Sequence, residues 1–186
     1  MSPAGHNVTA FAMAATTMRI CDVPWEEGFS SLPTVMMASN AANIDRFAFV
    51  TLVALGMLLG ARAPDRLEIP SFNRRTQTRR SVIPHRTLTH WPPFWLVITL
   101  SCWAAWHTSA DSLLYAITSA GLGFCAAAWL HLVMDIMTPM GIPLRSPFGS
   151  RSSFNLYKTA QIGEWVCVFL FMAACLLFSV SARYVS

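Results

Sequence analysis

The stretch Ser112–Thr138 is apolar almost throughout, and the charged-type side chains inside it are His131 and Asp135. No other feature constrains the fold of this chain as tightly. A stretch of that length crosses a bilayer as one α-helix. An ionisable residue within such a helix is costly and by default marks a functional site. The spacing i, i+4 in "WLHLVMDIMTPMG" puts both side chains on one helical face. Imidazole and carboxylate are ligand types that zinc and related divalent ions take. A buried His–Asp hydrogen bond is the plain alternative.

The rest of the composition agrees with a membrane setting. The 186 residues are 54% hydrophobic and 12% charged, whereas soluble domains carry roughly a quarter charged residues. A disordered chain is excluded on the same grounds. The length suits a single unit, expected over residues 1–186. The five cysteines (21, 102, 125, 167, 175) lack CxxC spacing and fall mostly in apolar runs. They read as small core hydrophobes rather than thiolate ligands or a disulfide framework. Arg19 is the first basic residue, so the N-terminal stretch lacks the positive region of a cleaved signal, and residues 1–20 are expected to be retained.

Four apolar runs read as membrane helices: Phe47–Ala63 (short), Pro92–Ser109, Ser112–Thr138 and Glu164–Ala182. His6–Ile20 is a weaker run, either a short helix packed inside the bundle or a half-buried one. Residues 21–46 are rich in Pro, Ser and acidic side chains and suggest a loop with at most one short helix. The expected fold class is therefore all-α, an integral membrane bundle of four to five helices. Residues 62–91 carry seven arginines, and residues 139–163 carry Arg145, Arg151 and Lys158, while "HTSAD" between two runs has no Lys or Arg. The positive-inside rule puts both basic loops in the cytoplasm.

That topology has a chemical consequence. His6, Asp65, His85, His90, His131, Asp135 and Glu164 all fall at the helix ends of one leaflet, and His107 is the only histidine at the other. Scattered structural residues would divide between the faces. Convergence argues for one polar site in the mouth of the bundle.

Each member has a bland alternative. His85 and His90 in "PHRTLTH" are five apart and need not share a face, though a turn can aim both at one centre. Arg74, Arg75, Arg79 and Arg80 fit attraction to anionic lipid. Arg86 is adjacent to the histidines, and a guanidinium there can hold a phosphate through two bonds. Asp65 and Glu68 are also compatible with solvated helix ends. Thr138 can cap, bond Asp135 or contact substrate, and Glu164 can ligate or simply favour the positive end of a helix dipole. No Gly-rich phosphate loop, nucleophile elbow or HExxH sequence is present. The basic loop lacks the interleaved aromatics of a single-strand nucleic-acid platform, so no nucleic-acid partner is expected.

At these residues the chain resembles the YdjM family of bacterial inner-membrane proteins. "SPAGH" is similar to the family's opening small residue–Gly–His, "APD" to its Pro-Asp helix end, and "HRTLTH" to its His-Arg-Gly-x-Thr-His motif. "HLVMDIMTPMGIPLRSP" resembles its His-x-x-x-Asp-x-x-Thr-x-x-Gly-x-x-x-x-x-Pro segment, and Glu164 matches the acid that opens its last helix. The motifs occur in order over residues 5–164. The family is grouped with zinc-dependent phospholipase C and single-strand nuclease folds, which are all-helical and hold divalent metals. The resemblance implies a metal-dependent hydrolase of the inner membrane acting on a phosphoester. It carries over His6, Asp65, His90, His131, Asp135 and Glu164 as metal ligands, with His85 and Arg86 close by and zinc as the implied metal. Leu67 stands where family members have a second Asp, Thr87 where they have Gly, and Trp91 where they have Ser; these departures imply a reduced metal cluster.

The expected chemistry is hydrolysis of a phosphoester, plausibly in a membrane lipid, by a metal-activated water. Asp65 and Asp135 are each ligand or base, with His85 and Arg86 completing the catalytic set. The rival class is a non-catalytic metal-stabilised subunit or a transporter-like ion binder. A transporter would place its polar residues near the bilayer midplane rather than at helix ends.

Overall fold

A computed structural model of the chain describes residues 1–38, 40–67, 70–73, 78–81 and 86–185. Among them the architecture is helical, with seven α-helices and two short hairpins. Helix α1 (Pro3–Ile20) starts because Ser2 is extended and its hydroxyl accepts from the Gly5 amide at 3.2 Å, with Pro3 at the first helical position. Residues 21–46 hold more order than their loop-like composition suggests. Helix α2 (Trp25–Met37) carries Glu26 and Glu27 in its first turn, where they favour the positive end of the helix, and a 3₁₀ turn follows over Ala41–Asn43.

Helix α3 (Arg46–Gly60) is capped by Asp45, whose carboxylate accepts from the Ala48 amide at 2.8 Å. A single turn, α4 (Ala63–Arg66), carries Asp65. The basic loop beyond it contains an antiparallel hairpin, β1 (Pro70–Asn73) and β2 (Thr78–Ser81), in the register Pro70 to Ser81. A 3₁₀ turn over Leu88–His90 leads into α5 (Pro92–Thr108). Helix α6 (Ser112–Ile136) is capped by Asp111 through the Leu114 amide at 2.8 Å. A small hairpin, β3 (Ile142–Pro143) and β4 (Arg151–Ser152), precedes α7 (Ile162–Val185).

Helix α6 is the spine. It packs most extensively along α3 and next along α5, while α1 lies against α3 and α7. The α3–α6 crossing is close because glycines face backbone there. A Cβ on Gly56 would stand 1.9 Å from the Ala120 carbonyl oxygen, and one on Gly123 would stand 1.9 Å from that of Val53. Small residues at such crossings let membrane helices gain dispersion contact that lipid cannot replace. Helix α1 contributes Ala10, Ala14 and Met18 to the core it shares with Val50, Ala54 and Ala127.

The outer surface of the bundle is apolar. Val97, Leu100 and Trp103 on α5, Ile117 on α6, and Phe169 and Leu177 on α7 are all exposed. Patches of that extent are unusual on a soluble monomer and suit lipid. Helices α6 and α7, over Ser112–Ile136 and Ile162–Ala182, are long and apolar enough to cross a membrane, and α3 is a shorter apolar helix.

Candidate metal centre

Five side chains converge at one end of the bundle. His6 comes from the first turns of α1, Asp65 from α4, His90 from the 3₁₀ turn before α5, and His131 and Asp135 from the last turns of α6. His6, His90, His131 and Asp135 are each 2% exposed or less, whereas the Asp65 side chain is 28% exposed and forms the open edge.

The ligand-type atoms face one another. His90 Nε2 lies 3.4 Å from Asp65 Oδ1 and 3.4 Å from Asp135 Oδ2, and His131 Nε2 lies 3.6 Å from the same two oxygens. His6 Nε2 is 3.5 Å from Asp135 Oδ1, and its ring stacks on that of His131. One ligand atom each from His6, Asp65 and His131 lie within 4.8 Å of one another, and so do those of His90, His131 and Asp135. His131 belongs to both groups, so the five residues make one connected cluster.

The donor set suits a divalent ion. His131 Nδ1 sits 3.0 Å from the Ala61 carbonyl oxygen, an acceptor only, so Nδ1 carries the proton and Nε2 presents a lone pair to the cluster. His131 Nε2 and both ring nitrogens of His6 are buried without a hydrogen-bond partner. Burying an unbonded polar atom is costly. A cation among these atoms would satisfy the inward-facing nitrogens, and the donor set is of the His/carboxylate kind that divalent metals take.

Arg86 is buried in a left-handed backbone conformation with φ 55°. Its Nη1 donates to Thr138 Oγ1 at 3.0 Å and to the Gly141 carbonyl at 3.1 Å, and its Nη2 lies 2.9 Å from Asp135 Oδ2. Thr138 Oγ1 in turn donates to the Asp135 carbonyl at 2.8 Å. The guanidinium thus clamps the end of α6 and aims Asp135. It is not laid open as a phosphate clasp.

Glu164 stands outside the His–Asp cluster. Its Oε1 accepts from the Ser2 amide at 2.9 Å and from the Ser2 hydroxyl, and its Oε2 accepts from the Ala160 amide at 2.6 Å. The carboxylate ties the start of α1 to the start of α7. Gly5 makes room for it, since a Cβ there would stand 2.5 Å from Glu164 Oε1. The Met1 amino group completes the neighbourhood at 2.5 Å from Asp135 Oδ1. His85, Glu68, Arg74 and Arg75 lie outside the described residues.

Two participants are invisible to motif reading. The Ala61 carbonyl selects the His131 tautomer, and a backbone atom leaves no trace in residue type. Ser2 binds Glu164; the Ser-Pro pair marks it as a helix cap but does not reveal the distant acid.

The fold and the cluster together define a mostly helical membrane protein with a buried His–Asp centre at one end of its bundle. The chain belongs to the YdjM inner membrane protein family, whose model matches residues 1–185. No curated protein and no solved structure matches it.

Proposed function

We propose that this protein is a metal-dependent hydrolase of the bacterial inner membrane that cleaves a phosphoester in a membrane lipid. The observation that carries the reading is the convergence of three imidazoles and two carboxylates at short range, with the Nε2 of His131 turned inward by Ala61. His6, His90, His131, Asp65 and Asp135 would hold the metal, and zinc suits this mixture of nitrogen and oxygen donors. A bound divalent ion lowers the pKa of water and polarises a phosphoryl oxygen.

The chain's own residues divide the remaining work. Asp135 is buried and fixed by Arg86, so it is a ligand of set orientation. Asp65 is the carboxylate nearest solvent, and its Oδ1 faces His90 and His131. The Asp65 oxygen not given to the metal would accept the proton of the attacking water. Arg86 and Thr138 are positioning residues that act through Asp135. Four to five of the helices span the bilayer with both arginine-bearing loops in the cytoplasm, so the cluster opens at the cytoplasmic leaflet.

Metal analysis of the purified protein, joined to a panel of lipid and nucleotide phosphoesters, tests this reading. Expected are bound zinc, turnover on a phospholipid headgroup ester, loss of both with a chelator and recovery on adding zinc. Absence of metal after reconstitution would overturn it.

A second reading has one observation in its favour. Four of the five cluster residues are almost wholly buried, which suits a structural metal that fastens α1, α4 and α6 together. Bound metal with no turnover across the panel, and loss of thermal stability on chelation, would select it.

A further inference from the structure

The segment 139–163 joins the two long apolar helices at the end of the bundle that carries the cluster. It contains Arg145, Arg151 and Lys158 and no acidic residue. It is fastened along its length. Strands β3 and β4 pair across it. The Phe154 amide donates to the Ile136 carbonyl at 2.8 Å, and the Leu156 amide donates to that of Met137 at 2.8 Å. The buried Tyr157 hydroxyl donates to the Met134 carbonyl at 2.8 Å. These bonds satisfy carbonyls that the last turn of α6 would otherwise leave open. They also set the level of the strap, because its backbone is bonded to the residues where α6 leaves the apolar zone.

Its side chains point the other way. Leu144, Phe148, Phe154 and Leu156 are 43%, 76%, 66% and 64% exposed, and Arg145 and Lys158 are exposed beside them. Apolar side chains beside the exposed cations Arg145 and Lys158 fit one environment well. In the headgroup layer of an anionic leaflet the rings and aliphatic chains enter the acyl boundary while the cations meet lipid phosphates. A second copy of this chain is a poorer occupant, since a two-fold interface would set the cations against themselves. We propose that the strap 144–158 is an interfacial anchor that seats the cluster-bearing end of the bundle on anionic lipid. The proposal stands apart from the hydrolase reading, because lipid contact is measured without turnover.

The test uses the full chain reconstituted into vesicles of phosphatidylcholine alone or of phosphatidylcholine with phosphatidylglycerol. A photo-crosslinking p-benzoylphenylalanine replaces Phe148 or Phe154, with Val166 on the exposed face of α7 as the control position, and adducts are identified by mass spectrometry. Phospholipid adducts are expected at all three positions. At Phe148 and Phe154 the yield should rise roughly twofold or more with phosphatidylglycerol, and the rise should vanish in the Arg145→Gln, Lys158→Gln variant, because each basic side chain near the surface adds attraction. The Val166 yield should be the same in every case. Adducts to a second copy of the chain, no adducts at Phe148 and Phe154 beside a normal Val166 control, or yields indifferent to phosphatidylglycerol would each overturn the proposal.

Discussion

The imidazole rings of His6 and His131 stack face to face, with 3.6 Å between centroids and 8° between planes. One ring belongs to the first turns of α1 and the other to the last turns of α6. The His6 part of the cluster is therefore in place only when α1 is docked against the spine of the bundle. An ion held across the two helices would stabilise the docked state, so metal binding would be coupled to docking of α1.

The first prediction follows from that coupling. His6→Ala and His131→Ala should each lower zinc affinity by on the order of 100-fold or more, since a lost ligand costs at least as much as a lost supporting partner. Insertion into the membrane should persist, because the apolar helices are untouched. Zinc titration of the purified variants, with membrane fractionation alongside, measures both. Unchanged affinity in both variants would remove the metal reading.

Arg86 separates positioning from charge. Arg86→Lys keeps the cation but loses the fork that reaches Thr138, Gly141 and Asp135 together. Zinc affinity should fall about 10–100-fold, as it does when the groups that orient a ligand are removed. Arg86→Ala should in addition destabilise the fold by about 1.5–3 kcal/mol, because Asp135 loses a charge-assisted bond and keeps only the Met1 amino group as a cationic partner. Thermal unfolding in detergent with and without zinc distinguishes the two effects. Wild-type zinc affinity in the Lys variant would show that the fork geometry is immaterial.

The helices were legible in the sequence because apolar runs and caps are local signals. The runs beginning at Phe47, Pro92, Ser112 and Glu164 correspond to α3, α5, α6 and α7, and the structure adds the caps Asp45 and Asp111. The meeting of His6, Asp65, His90, His131 and Asp135 was legible at one remove, through a topology that gathered them at one leaflet. Which acids face the histidines was not. Glu164 opens its helix at the same level as the others, yet Ser2 and Ala160 claim its oxygens. Arg86 reads in sequence as an open cation, yet a left-handed backbone and a distant turn decide where it points. Side-chain commitment of this kind depends on partners far along the chain. The hairpin within the basic loop was missed as well, since short polar strands carry little hydrophobic alternation.

The α3–α6 crossing gives the third prediction. Gly123→Ala would drive a methyl against the Val53 carbonyl, where the ideal Cβ stands 1.9 Å away. Backbone cannot yield as a side-chain tip does, so the helices must part, at a cost of about 1–3 kcal/mol or more. The end of α3 leads to the Ala61 carbonyl that fixes the His131 tautomer. Zinc affinity should therefore fall together with the unfolding temperature, although residue 123 is well removed along α6 from the cluster. Gly121→Ala is the control, since the nearest atom to its Cβ is the Cys102 Sγ at 3.1 Å, a side-chain atom able to shift. Lowered stability with full zinc affinity in the Gly123 variant would mean that the crossing does not govern the cluster.

Glu164 gives the fourth prediction, and it separates the two roles the sequence leaves open. Its two oxygens accept from Ser2 and Ala160, and it joins neither of the two ligand groups around His131. Glu164→Gln keeps the shape and one acceptor oxygen but turns the other position into a donor facing an amide or hydroxyl that also donates. Charge-assisted bonds of this kind contribute about 1.5–3 kcal/mol each, so the variant should unfold at a lower temperature. The start of α1 should loosen, which hydrogen exchange at Gly5 and His6 would register as faster exchange. Zinc should still bind at full stoichiometry, with affinity lowered only as far as α1 is less often docked. Raising the zinc concentration should therefore restore the exchange protection of α1, because the ion selects the docked state. Loss of stoichiometric zinc that excess metal fails to recover would instead make Glu164 a ligand and would require its carboxylate to leave Ser2 when the ion binds.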